Sequence, residues 1–225
     1  MGTVIFDLDG TLADTSGDLI AAANACFRDL GHGDLLDPAQ DQATALRGGR
    51  AMLQLGFERL GAVDGAEIEV QYPRLLEFYG EKIDTHTVLY PGVVAAIEQL
   101  LSDGYRVGIC TNKQEKLAER LMQNLGVRGL FGSLIGADTL PVRKPDPAPF
   151  FEAVARAGGA GGPSLLVGDT VTDHKTARAA KVPSVLVTFG PGAEAVAALQ
   201  PDALLDSYAC LGGVVSALIG SVNNA

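Results

Sequence analysis

The chain has 225 residues, 47% of them hydrophobic, with a formal charge of −10 at pH 7 and an isoelectric point near 4.7. That length suffices for one large domain with a small insertion around a real core, and the charge argues against nucleic acid or an anionic membrane as partner, since either needs a basic patch. Three scattered cysteines, Cys26, Cys110 and Cys210, fit a reducing compartment better than a disulfide framework, and with no basic, apolar leader a cytoplasmic protein is expected.

From Thr3 an apolar run, Val4-Ile5-Phe6, reads as a fully buried strand that breaks off into Asp7-Leu8-Asp9-Gly10-Thr11. In open α/β sheets ligands sit beyond the carboxyl ends of the strands. Asp7 and Asp9 are therefore expected to face a crevice, with Gly10 allowing a tight turn. Two residues apart on extended backbone, the acids point roughly the same way. Asp14-Thr15-Ser16 offers helix N-caps, and Leu19, Ile20, Ala23, Phe27 and Leu30 recur at helical spacing as far as Gly31. From Pro38 to about Ile83 the pattern stays helical, divided at Gly48-Gly49 and from Gly61 to Gly65, with no β-rich segment. Residues 15–84 are expected to form a helical insertion, and residues 1–14 with 85–225 the domain that carries it.

Pro91-Gly92 marks the return, with Pro at the first turn of a helix expected to run to Asp103. Strands at Tyr105 to Cys110, Ser133 to Ile135, Ser164 to Val167, Ser184 to Val187 and Ala203 to Leu205 then alternate with helices at Gln114 to Leu125, Ala148 to Ala157 and Val171 to Ala180. Alternation of this kind argues an α/β fold with a parallel sheet and right-handed crossovers. The run Gly158-Gly159-Ala160-Gly161-Gly162 lacks the lysine and the following helix of a phosphate-cradling loop, and reads as a flexible connection. The uncharged stretch Ala209 to Val222 is shorter than the roughly 20 residues of a membrane span and reads as a terminal helix on the core.

Three later stretches keep company with Asp7-Leu8-Asp9-Gly10-Thr11: Cys110-Thr111-Asn112, Arg143-Lys144-Pro145-Asp146-Pro147, and Gly168-Asp169-Thr170-Val171-Thr172-Asp173. In this order and spacing they resemble the four signature motifs of the haloacid dehalogenase superfamily, most of whose members are phosphatases. The opening Phe6 to Thr15 is similar to that of phosphoglycolate phosphatases. The resemblance implies a Rossmann-like core, a parallel sheet flanked by helices, with residues 15–84 as a small helical cap.

It also implies roles. Asp7 would be the nucleophile that forms an aspartyl-phosphate, and Asp9 the acid and base that serves the leaving alkoxide and then the hydrolytic water. Thr111 and Asn112 would bind phosphate oxygens at a helix start, where Thr111 otherwise reads as a helix cap. Lys144, otherwise a surface lysine, would offset the charge of nucleophile and phosphoryl group. Hard oxygen ligands beside a phosphate suit Mg²⁺, assigned to Asp7, to Asp9 through its carbonyl, and to Asp169. Asp173 would orient Lys144 or a metal-bound water, its plainer reading being stabilisation of a helix N-terminus. In the cap, Arg47-Gly48-Gly49-Arg50 is a glycine turn flanked by arginines that suit a substrate carboxylate. The expected activity is Mg²⁺-dependent hydrolysis of a small phosphorylated metabolite such as 2-phosphoglycolate, by a monomer or weak homodimer. The alternatives are a sugar phosphomutase of the β-phosphoglucomutase type and a non-catalytic binding protein that retains the fold. Intact Asp7, Asp9, Lys144 and Asp169 argue against the last.

Overall fold

The computed structural model describes residues 2–61 and 65–221. The expected division from Gly61 to Gly65 and the end of the expected terminal helix fall partly outside them. The chain forms two compact units, Met1–Ala13 with Leu89–Ala225, and Asp14–Val88.

The first unit holds a six-stranded sheet: β1 (Thr3–Phe6), β4 (Arg106–Cys110), β5 (Ser133–Ile135), β6 (Ser164–Gly168), β7 (Ser184–Val187) and β8 (Ala203–Leu205), in the order β5-β4-β1-β6-β7-β8. Every neighbouring pair is parallel. Parallel strands covered by helices need apolar residues facing both sides, and β1, β6 and β7 are buried along their whole length. The helices are α5 (Val93–Ser102), α6 (Glu115–Asn124), α7 (Ala148–Arg156), α8 (Val171–Ala180), α9 (Ala193–Ala197) and α10 (Leu211–Ile219). Ile5, Cys110, Ile135 and Leu166 from the strands pack with Phe150 and Ala153 of α7 and Ala177 of α8 in one buried cluster. Fully buried, Phe150 contributes about 2–3 kcal/mol.

β1 lies between β4 and β6, with Phe6 opposite Ile109 on one side and Val167 on the other. The chain leaves β1 in one direction and returns on both flanks, so a crevice opens beyond the strands' carboxyl ends. That register brings the three strand ends to one edge of the sheet. Asp7, Thr111 and Asp169 are the residues that come next after β1, β4 and β6.

The second unit is helical: α1 (Ser16–Asp29), α2 (Gln42–Ala45), α3 (Gly49–Arg59) and α4 (Gly65–Glu81). Phe27 of α1 meets Phe57 of α3 edge to face at 5.5 Å. Buried Asp18 accepts the backbone N–H groups of His86 and Thr87 and the Thr87 hydroxyl, at 2.7–3.0 Å. One carboxylate thereby ties the first helix to the end of the segment. The pair β2 (Ala13–Asp14) and β3 (Val88–Leu89) lies where the chain passes between the units.

Three local expectations change. Pro91-Gly92 is a turn ahead of α5, because Gly92 between Pro91 and the helix is left-handed at φ 83°, a conformation glycine takes and a right-handed helix cannot include. The helical pattern after Pro38 yields only the four-residue α2 before Gly49, too few apolar positions for a longer buried face. Neither α9 nor the two-residue strands show in the sequence pattern, since five and two residues are shorter than either period.

Candidate active site

Asp7 leaves β1 with its N–H bonded to the Val167 carbonyl at 2.9 Å. Its Oδ1 accepts the Leu8 N–H at 2.7 Å and lies 3.0 Å from Lys144 Nζ. After it the backbone closes a tight turn, in which the Leu8 carbonyl accepts from Thr11, Leu12 and Ala13 and Gly10 takes φ 77°, a conformation that a side chain resists. The turn brings Asp9 round beside Asp7. Asp9 carries an ion pair that the sequence reading did not anticipate, with Lys113 Nζ 2.7 and 2.9 Å from its two carboxylate oxygens.

Lys144 is buried between two acids, 2.6 Å from Asp173 Oδ1 and 3.0 Å from Asp7 Oδ1. Burial alone would lower its pKa, but Asp173 and Asp7 together raise it, so the ammonium is fixed. Asp173 spends its other oxygen, Oδ2, on the Thr170 hydroxyl at 2.6 Å and the Thr170 N–H at 3.1 Å, closing a capping box on α8. It therefore holds Lys144 and the helix terminus at once. Burial pushes the Asp173 carboxyl up, yet Lys144 and Thr170 bring it below the ordinary aspartate range. This packing needs Gly168, because a Cβ there would sit 2.3 Å from Asp173 Cβ and Cγ.

Asp169 Oδ1 accepts the Thr11 hydroxyl at 3.0 Å, while its buried Oδ2 has no hydrogen-bond partner. An unpaired buried carboxylate oxygen is costly. Burial first, then Asp173 and Asp7, raise the Asp169 pKa well above the ordinary value. Asp7 behaves alike: burial raises it, Lys144 opposes, Asp173 and Asp9 add to the rise, and it stands at about 6. For both acids burial is the larger cause, and the crowding of carboxylates adds to it. Four carboxyl groups, Asp7, Asp9, Asp169 and Asp173, gather here, with Lys144 paired to Asp7 and Asp173 and Lys113 to Asp9.

Asp7, Asp169 and Asp173 each offer an oxygen within 4.8 Å of the others. This all-oxygen donor set, with its orphaned Asp169 Oδ2, fits a hard divalent cation such as Mg²⁺. Asp173, with both oxygens already accepting, is the least available of the three.

Two expectations about Thr111 and Asn112 need correction. Neither stands at a helix start: α6 begins at Glu115, whose N–H already donates to Asp138 at 2.7 Å. The Thr111 N–H is occupied by the Ile135 carbonyl at 2.9 Å. What Thr111 has left is a buried hydroxyl, accepting from the Lys113 N–H at 3.2 Å and still holding a proton to donate. The Asn112 amide donates to the Lys144 carbonyl at 3.0 Å, so it anchors the segment that presents Lys144.

Arg47, Gly48, Gly49 and Arg50 lie in the helical unit. Gly48, at φ 98°, precedes α3, Gly49 is its first residue, and Arg47 is exposed. The Arg50 fork is already engaged by Glu69, at 2.7 and 2.8 Å, and stacks 3.7 Å over Tyr72, so of the two arginines Arg47 is the more open to a ligand. His174 bonds the Ser184 hydroxyl at 3.1 Å through Nδ1, in keeping with a structural histidine.

Besides Lys113, sequence reasoning missed Tyr208, whose buried hydroxyl donates to the Thr11 carbonyl at 2.7 Å. Lys113 follows Asn112 directly, and its position in the loop after β4 was the available signal. Nothing local marks Tyr208, which lies 197 residues from its partner.

Residues 4–187 match the family described as haloacid dehalogenase-like hydrolase. A phosphoglycolate phosphatase from Agrobacterium fabrum is 35% identical over 92% of this chain and 89% of its own length. One from Rhodospirillum rubrum is 37% identical over 93% and 88%. Among solved structures, a predicted phosphoglycolate phosphatase from Haemophilus somnus superposes with a TM-score of 0.81 at 26% identity, over 95% of this chain and 97% of that one. With the parallel sheet, the four motifs at its carboxyl edge and these likenesses together, the chain belongs to the haloacid dehalogenase-like hydrolase family.

Proposed function

We propose that this hydrolase is a Mg²⁺-dependent phosphomonoesterase that works through a phosphorylated Asp7 and acts on 2-phosphoglycolate. That it is a phosphatase rests on its similarity to phosphoglycolate phosphatases over most of its length. The observation that carries the mechanism is the meeting of Asp7, Lys144 and Asp169 beyond β1 and β6, with Asp169 Oδ2 buried and unpartnered. Asp7 and Asp169, with the Asp9 carbonyl, would hold Mg²⁺, which would supply charge neutralisation at the phosphoryl oxygens.

The other steps belong to side chains. The Asp7 carboxylate attacks phosphorus in line, and its bond to phosphorus forms as the bond to the ester oxygen breaks. Lys144 offsets charge on Asp7 and on the phosphoryl oxygens, itself held in place by Asp173. The Thr111 hydroxyl donates to a phosphoryl oxygen. Asp9 gives a proton to the departing alkoxide and then takes one from the water that displaces phosphate from Asp7. Residues 15–84 would be the cap that the resemblance implies, and Arg47 is its arginine suited to a substrate carboxylate.

The test is phosphate release from 2-phosphoglycolate with Mg²⁺, with EDTA, and by Asp7→Asn. Release is expected only from the wild type with Mg²⁺. Turnover by Asp7→Asn would sink the nucleophile assignment, and conversion of a hexose 1-phosphate to its 6-phosphate without free phosphate would make the protein a mutase.

A further inference from the structure

Lys113 is nearly sealed from solvent, with 5% of its side chain exposed, whereas the Asp9 side chain it meets is 18% exposed. An exposed lysine pairing an exposed carboxylate would need no explanation. Here a long, flexible side chain is desolvated and ordered to reach one short acid, and that cost needs an offset. The contact is made to both oxygens, at 2.7 and 2.9 Å. One hydrogen bond would leave the carboxylate free to swing about Cβ–Cγ. Two fix its plane as well as its direction. The lysine is itself anchored: its N–H donates to Thr111 Oγ1 at 3.2 Å and its carbonyl accepts the Ala137 N–H at 2.9 Å. A loop after β4, tied down at both of its Lys113 backbone groups, thus grips an acid of the cluster that Lys144 does not pair with.

We propose that Lys113 is a positioning residue, whose ammonium holds the Asp9 carboxyl group in the orientation from which it serves the leaving-group oxygen. The inference rests on the reading of Asp9 as the acid. Transfer to a leaving oxygen requires the donor within hydrogen-bond reach, and small displacements of an aligned group are expensive in rate. An Asp9 released from Lys113 keeps its carboxyl group and loses its aim.

The test separates aim from fold by leaving group. kcat/KM covers steps only as far as departure of the first product, so it isolates the step in which Asp9 acts as acid. Phenyl phosphate needs its leaving oxygen protonated, and 2,4-dinitrophenyl phosphate, similar in size, does not. For Lys113→Met, kcat/KM on phenyl phosphate is expected to fall about 10- to 100-fold, a part of the total worth of a general acid, while the dinitrophenyl ester changes less than about threefold. Lys113→Arg, which keeps a two-pronged donor, restores most of the loss, and Lys113→Gln, with one donor group, falls between and serves if the Met variant does not fold. Equal losses on both esters, or none on either, would overturn the proposal. Asp9→Asn distinguishes the two failures. If it shows the leaving-group split and the Lys113 variants do not, Lys113 is refuted and Asp9 stands. If Asp9→Asn shows no split, the acid reading falls and takes this inference with it.

Discussion

Replacing Lys144 with methionine preserves most of the side chain's volume and deletes its charge, leaving Asp7 and Asp173 without the cation they share at 3.0 and 2.6 Å. At an effective dielectric near 20 the shorter contact alone is worth roughly 6 kcal/mol before desolvation is counted. The loss has a ceiling, because a stranded carboxylate takes up a proton instead, at about 1.4 kcal/mol per pH unit above its unfolded pKa. Asp173 lies below the ordinary 3.8 in the native protein, so at pH 7 stranding it costs about 4 kcal/mol. Asp7 already stands at about 6, so it adds only about 1–2 kcal/mol at pH 7 and nothing at pH 5, where it is already protonated. The metal-free variant should therefore lose about 4–6 kcal/mol at pH 7 and about 2 kcal/mol at pH 5. The sign follows from proton uptake: the variant's native state binds more protons than the wild type's, so the gap narrows as pH falls. Urea unfolding in EDTA at both pH values measures it. A variant folded at pH 5 and unfolded at pH 7 is the same outcome in extreme form. A loss equal at the two pH values to within about 0.5 kcal/mol would mean that packing, not charge, was removed, and would refute the reasoning.

Magnesium at a hundred times its dissociation constant should stabilise the wild type by about 2.7 kcal/mol, raising Tm by roughly 5–10 °C, and Asp169→Asn should abolish most of that rise; an unchanged rise would place the ion elsewhere. In metal-free protein the Asp7 carboxyl carbon should titrate near 6 by NMR, with Mg²⁺ moving the midpoint down. Because that pKa exceeds the ordinary 3.8, the Asp7 contribution to stability declines as pH rises from about 4 to about 6, and a midpoint near 4 without metal would contradict the burial argument. Gly168→Ala, whose Cβ would fall 2.3 Å from Asp173 Cβ and Cγ, should displace Asp173 and lower kcat/KM about 100-fold through misplacement of Lys144, whereas a change under threefold would show that the strand end relaxes around it.

Much of the core was legible because its signals are periodic and local. A buried parallel strand is a short apolar run, and Ser133–Ile135, Ser184–Val187 and Ala203–Leu205 stand where the pattern puts them. Residues that come directly after such strands gather at one sheet edge for topological reasons, so Asp7, Thr111 and Asp169 could be brought together on paper. The helical pattern between Pro38 and Gly49 was less informative. Its apolar positions are sparse, and only Gln42–Ala45 became helix.

The sequence by itself determined the strand order's raw material and the acids at the strand ends, since both follow from hydrophobic runs and their abrupt polar stops. Tertiary structure decided which charge meets which: that Lys144 is shared by Asp7 and Asp173, that Lys113 takes Asp9, that Arg50 is spent on Glu69, and that Asp169 Oδ2 is left without a partner. Ion pairs depend on distances of a few ångströms between side chains as far as 137 residues apart, and no period in the chain encodes them.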